Sequence, residues 1–178
     1  MAARPCDRTT QLAQTIPDEP FYDIPGTAGL IRVPGEGKTL TYAGTSVTFK
    51  AMNEDAAGGW TMLELSLAPG FGGPLPHYHR VKTETYYVLE GRIVFMLEWQ
   101  EMALSAGAMV MVKPGAVHTF WNVGTGQARM MVMSSPLGTE GYYEAMAAMS
   151  DRERQSVLAD RAQWMAKLVQ YDLYPVWE

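Results

Sequence analysis

In Pro74-Leu75-Pro76-His77-Tyr78-His79-Arg80-Val81-Lys82-Thr83-Glu84-Thr85-Tyr86-Tyr87-Val88-Leu89-Glu90-Gly91, two histidines stand one residue apart. An acid occupies the fifth position after the second of them, and an apolar run then ends on a glycine. Side chains two apart on a strand face the same way, so His77 and His79 point together, as two ligands on one ion must. Glu84 begins a β-branched and aromatic run and shares a face with Tyr86 and Val88. The third and last histidine of the chain, His118, lies downstream in Lys113-Pro114-Gly115-Ala116-Val117-His118-Thr119-Phe120-Trp121-Asn122, on one face with Phe120 and Asn122. A chain that places all three of its imidazoles in this way is spending them on chemistry and not on packing.

Outward from these motifs, residues 28–136 read as short apolar runs broken by Gly, Pro and Asn. The expected strands are Thr39–Tyr42, Ser46–Met52, Trp60–Leu67, Thr85–Leu89, Ile93–Leu97, Ala108–Val112, Thr119–Trp121 and Met130–Ser134. No helical period separates them, so a parallel βαβ sheet is excluded in favour of an all-β antiparallel sandwich or small barrel. Three parts are expected: an N-terminal arm over 1–27, the barrel over 28–136 and a helical tail over 137–178. In the tail, Tyr142, Tyr143, Met146 and Met149 follow a helical spacing. Ser150-Asp151-Arg152-Glu153 has the form of a capping box opening a second helix, with Val157, Leu158, Ala162, Met165, Leu168 and Val169 as its apolar stripe. These two helices pack on the barrel or, in a sharper reading, form a lid with Trp164, Tyr171 or Trp177 touching a ligand.

Closing the strands into a barrel brings His77, His79, Glu84 and His118 to one interior point. Three neutral imidazoles and one carboxylate suit a single divalent Fe, Mn, Co, Ni, Cu or Zn, and the ligand types do not choose among them. Four protein ligands leave one or two positions open on a five- or six-coordinate ion. Tyr86 and Phe120 face the same interior, either as core or as the wall of a substrate pocket for a flat or apolar molecule. Tyr78 points away from the ligands. Glu64 is a solvent-facing strand residue or an acid behind the ligands, and Lys113 is expected at the surface. Met109, Met111, Met130, Met131 and Met133 are expected mostly to fill the barrel.

Composition narrows the function classes. Over 178 residues, 47% hydrophobic and 19% charged, a folded globular chain is expected. A net charge of −5 gives no reason to expect nucleic acid or an anionic membrane as partner. No apolar run reaches the length that spans a bilayer. The first residues lack the hydrophobic stretch of a signal peptide. One cysteine, Cys6, excludes an intrachain disulfide and fits a reducing compartment, so a cytoplasmic protein is expected. A Ser-His-Asp triad has no histidine left to use. Gly70, Gly72 and Gly73 precede a strand and not a helix, which excludes a phosphate loop.

The two motifs resemble those of the cupin superfamily. The first matches at His77, His79, Glu84 and Gly91, with Phe71 standing where the opening glycine falls and Gly70 and Gly72 on either side. The second matches at Gly107, Gly115, His118 and Asn122, with Lys113 in place of the motif's proline and Pro114 beside it. The resemblance covers about residues 44–136. It implies a jelly-roll β-barrel, a metal held by His77, His79, Glu84 and His118, and a homodimer. Glu84-Thr85-Tyr86-Tyr87-Val88-Leu89-Glu90-Gly91 with a helical tail is most similar to quercetin dioxygenase-type single-domain cupins. That likeness implies an oxidoreductase using O2 on a small organic substrate of aromatic or polyketide-like type, with Glu84 as both ligand and proton acceptor. The alternatives are a non-oxidative isomerase, cyclase or lyase, in which the metal polarises a carbonyl, and a cupin that only binds a small ligand.

Overall fold

From Lys38 to Ser135 the chain runs as successive strands, because β-branched and aromatic residues alternate there with polar ones. The structure is a computed structural model and describes residues 29–177 apart from 57 and 137. The expected N-terminal arm and Cys6 lie outside the described residues. The strands are β1 Lys38–Tyr42, β2 Thr45–Ala51, β3 Thr61–Leu67, β4 His77–Tyr78, β5 Thr83–Glu90, β6 Arg92–Leu97, β7 Gln100–Ser105, β8 Met109–Val112, β9 His118–Trp121, β10 Ala128–Ser135 and β11 Tyr174–Pro175. They form a six-stranded sheet in the order β1-β2-β3-β10-β5-β8 and a five-stranded sheet in the order β11-β4-β9-β6-β7. All pairings are antiparallel. Among the described residues, no ladder joins the edges of the two sheets, so the expected closed barrel is observed as two antiparallel sheets.

The inner faces supply one core, with Val47, Phe49, Leu63, Val88, Phe95 and Val132 buried. Strict alternation of buried and half-buried positions along β2 and β3 shows the register that the sequence pattern demands. On the outer face of the larger sheet, Arg129 Nη2 lies 2.6 Å from Glu64 Oε1 and Lys50 Nζ lies 3.7 Å from Glu64 Oε2. Glu64 is thus an outer-face residue. The methionines depart from expectation: Met130 is buried, but Met109, Met111 and Met133 are exposed. Those three occupy the strand positions that alternate away from the core, Met109 and Met111 opposite Tyr87 and Thr85. Gly73 and Gly91 admit nothing larger. Gly73 has φ +80° and an added Cβ would fall 1.9 Å from the Phe120 carbonyl oxygen; at Gly91, φ is +77° and the clash is with Gln127 and Ala128.

The tail holds three helices among the described residues, not two: α1 Glu140–Ala148, α2 Asp151–Ala159 and α3 Arg161–Leu168. The capping box is present, with Ser150 N–H donating to Glu153 Oε2 at 2.8 Å and Glu153 N–H to Ser150 Oγ at 3.3 Å. The expected second helix breaks at Asp160, whose extended backbone and carboxylate cap Ala162 and Gln163 and so start α3. After a 3₁₀ turn, Val169–Tyr171, the chain returns as β11 beside β4, pairing Pro175 with His77. No helix of the described residues is long and apolar enough to cross a membrane.

Candidate metal centre and its cavity

The site is assembled from adjacent strands. β4 carries His77 and leads into His79; β9 lies against it with His118 opposite His77. Glu84 projects from β5 in the facing sheet. The four side chains are buried, and one potential ligand atom from each lies within 4.8 Å of those of the others. Ring centroids are 4.3 Å apart for His77 and His118, 5.1 Å for His77 and His79, and 5.4 Å for His79 and His118. The sequence places all four ligands in one cluster, and the structure brings them together.

Each imidazole is oriented from behind. His77 Nδ1 meets the Leu75 carbonyl at 2.8 Å, His79 Nδ1 that of Asp172 at 2.5 Å and His118 Nδ1 that of Ala116 at 3.1 Å. A carbonyl can only accept, so in all three rings Nδ1 carries a proton and Nε2 is the atom turned toward the cluster. His79 Nε2 is buried without a hydrogen-bond partner, although Glu84 Oε2 lies 3.2 Å away outside hydrogen-bonding alignment. An orphaned imidazole nitrogen aimed at two other imidazoles and a carboxylate fits a metal ion.

Glu84 is held through both oxygens. Ser134 Oγ donates to Oε1 at 3.0 Å, and Tyr86 Oη donates to Oε2. Burial pushes the Glu84 carboxyl up, but His79 and His118 outweigh it and hold the group well below the ordinary range. Burial, then His118 and His79, pushes His77 well below 6.5 and keeps it neutral. Burial, then Glu84, pushes the Tyr86 phenol well above 10, so it stays a donor.

Asp172 was not singled out by its sequence. It sits at φ +57°, a conformation Asp tolerates, and its carboxylate accepts from three successive amides: Arg80 at 2.9 Å, Val81 at 3.0 Å and Lys82 at 3.0 Å. Its own carbonyl orients His79. Burial raises its carboxyl, and these amides, Lys82 first, outweigh that and lower it. More than ninety residues separate Asp172 from His79, so no local pattern points to it.

His77, His79 and Glu84 line a cavity of about 790 Å³, with His118 buried behind them. Tyr86 and Phe120 line it and also belong to the core, so both readings of them hold. Tyr142, Tyr143 and Met146 of α1 and Trp164 and Leu168 of α3 close another side, with Tyr171 beyond them. The tail therefore does contribute walls, Trp164 and Tyr171 among them, while Trp177 packs in the helical cluster. Tyr78 points outward and stacks on Tyr174 at 5.2 Å. Asn122 serves the turn after β9: its side-chain amide donates to the carbonyls of Leu67, Ala68 and Gly126. Lys113 is exposed, as expected.

Residues 63–134 match the family described as Cupin domain. The solved structure of KdgF from Halomonas sp. superposes with a TM-score of 0.54 at 17% identity, over 61% of this chain and 94% of that one. The polyketide cyclase RemF from Streptomyces resistomycificus superposes with a TM-score of 0.53 at 21% identity, over 60% of this chain and 80% of that one. At these identities the likeness is one of fold. Among curated proteins, "Polyketide synthase CurC" of Streptomyces cyaneus is 39% identical over 61 residues, which are 34% of this chain and 40% of that protein. The matched stretch thus spans two fifths of that relative. The family match over residues 63–134 takes in His77, His79, Glu84 and His118, and with the two antiparallel sheets it supports a cupin fold for this part of the chain.

Proposed function

We propose that this chain is a metal-dependent cupin enzyme acting on a flat, oxygen-bearing organic substrate of polyketide type, by non-oxidative proton transfer of the cyclase or lyase class. The observation that carries the reading is the gathering of His77, His79, Glu84 and His118 in one buried cluster, the first three of which line an aromatic-walled cavity. The partial match to a curated polyketide synthase supports the substrate class. A divalent transition metal, when bound, supplies a Lewis acid there. His77, His79, His118 and Glu84 hold it, their Nδ1–H groups fixed on backbone carbonyls. Phe120, Tyr142 and Trp164 flank the substrate's flat faces and exclude water. Glu84, ionised and lining the cavity, would take the substrate's proton, its Oε2 held in place by the Tyr86 hydroxyl that donates to it. A small-molecule substrate is the partner, and the homodimer implied by the resemblance is retained as part of this reading.

The dioxygenase expectation concerns the same site and differs in consuming O2. Elemental analysis of protein purified without chelator, beside His79→Ala and His118→Ala, tests the metal; about one ion per chain in the parent and loss in both variants is expected. Turnover of a panel of diketones and flavonols, with and without oxygen, tests the reaction. Diketone turnover that is unchanged anaerobically and abolished by chelation is expected. Turnover that stops without O2 would replace this reading with the oxygenase.

A further inference from the structure

Lys82 is among the largest side chains wholly buried in this protein, at 2% exposure, and it lines the cavity. Side chains at 82, 84, 86 and 88 are all buried, so Lys82 extends the inward-facing row of β5 by one step beyond Glu84. Two residues along extended chain is a rise of about 7 Å. Its backbone is pinned, because the Lys82 amide donates to Asp172 Oδ2 at 3.0 Å. The ammonium, by contrast, makes no hydrogen bond or ion pair among the described residues. Burial lowers its pKa, and Glu84, Asp172 and Glu140 oppose this through space without pairing with it. Lysines are seldom so deeply buried, and here the residue lines the cavity with its ammonium unpaired. None of these carboxylates pairs with it, which leaves the ammonium open to an occupant of the cavity.

We propose that Lys82 is the substrate-anchoring residue of this cavity and that the occupant carries an anionic oxygen, a carboxylate, enolate or phenolate, on a flat apolar body. The anion accepts from Lys82 Nζ, while the ring system lies between the aromatic walls. Recognition of this kind selects acids over their neutral isosteres, since a neutral amide leaves the ammonium without its charged partner. The inference rests on reading the cavity as the substrate site, but not on metal being bound.

The test uses 2-naphthoate and its neutral isostere 2-naphthamide as probes, titrated calorimetrically into the full chain with and without metal. In metal-free protein, 2-naphthoate is expected to bind at least about tenfold more tightly than the amide. Lys82→Met and Lys82→Gln are expected to reduce that preference to less than about threefold with the affinity for 2-naphthamide unchanged, which reports an intact cavity. Lys82→Arg is expected to keep the preference, so the inference stays testable through the charged variant if the neutral ones fold poorly. The proposal is overturned if the parent shows no preference, if the preference survives in Lys82→Met, or if neither probe binds at millimolar concentration. A preference present only with metal assigns the anion to the metal and removes Lys82's role while leaving the metal reading intact. A Lys82-dependent preference in a protein that retains no metal does the reverse.

Discussion

At Glu84 a single carboxylate is asked to stay ionised inside the protein. Burial opposes this and His79 and His118 reverse it, while Ser134 Oγ and Tyr86 Oη donate to its two oxygens. Tyr86 is the informative position, because its ring and its hydroxyl do separate work. The ring packs edge-on to Phe95 at 5.0 Å and against Phe120 at 5.6 Å, whereas the hydroxyl serves Glu84. Tyr86→Phe keeps the ring and removes the donor. Loss of a hydrogen bond to a buried charge costs about 1–3 kcal/mol. Metal-free Tyr86→Phe should therefore unfold at lower urea with an unchanged m-value. An unchanged midpoint would show that the phenol does not stabilise the carboxylate. Ser134→Ala, acting on the other oxygen, should cost less, since it removes a neutral donor from the oxygen that faces away from the imidazoles.

At the scale of elements, the HxH strand is held from both sides. β9 pairs with it through His118, and β11 pairs with it through Tyr174 and Pro175, while Val176 N–H donates to the Pro76 carbonyl at 2.7 Å. Asp172, just before β11, links the tail to residues 80–82 and to His79. Replacing it with Ala removes three acceptor contacts and leaves a positive φ that Ala tolerates poorly. Metal affinity, read by competition with a chromophoric chelator, should fall about 10–100-fold in Asp172→Ala. It should recover in part in Asp172→Asn, which keeps one side-chain oxygen and accepts the left-handed conformation. Affinity equal to the parent in the Ala variant would place the orienting force elsewhere. This contact also marks the limit of what sequence shows. The clustering of His77, His79, Glu84 and His118 and most strands were legible because period-two alternation and ligand spacing are local. β7, Gln100–Ser105, was not, since its residues are almost all exposed and show no apolar face. β4 and β11 are two residues long and exist only through their partners. The split of the last helix was missed, because the apolar stripe runs straight through Asp160 and hides the capping role of its side chain. The outward methionines were not, because a soft side chain reads as core wherever it falls.

For the whole molecule, the shifted groups fix how stability depends on pH. In metal-free protein His77 lies well below 6.5, through burial and then its two imidazole neighbours. Glu84 and Asp172 are held below the ordinary 4.5 and 3.8, although burial alone would raise both. In each case the unfolded chain binds a proton that the folded chain refuses, so acid favours unfolding. The His77 contribution is present above pH 6.5 and is lost as pH falls below it. The carboxylate contributions are present above 4.5 and 3.8 and are lost as pH falls through the lower folded values. On the alkaline side the sign reverses. Burial raises Tyr42, Tyr86 and Tyr143 well above 10 and Tyr142 to about 12. There the folded chain keeps protons that the unfolded chain releases, so stability is whole below pH 10 and is lost as pH rises towards the folded values. Urea unfolding in the presence of chelator, run from pH 4 to pH 11, should give a midpoint that climbs through the acid range. It should hold level from about pH 7 to 10 and fall beyond. Bound metal should steepen the acid limb, because protons compete with it for the three imidazoles. A metal-free midpoint that peaks near pH 5 would contradict the neutral, buried state assigned to His77 and, with it, the readiness of the cluster to accept a cation.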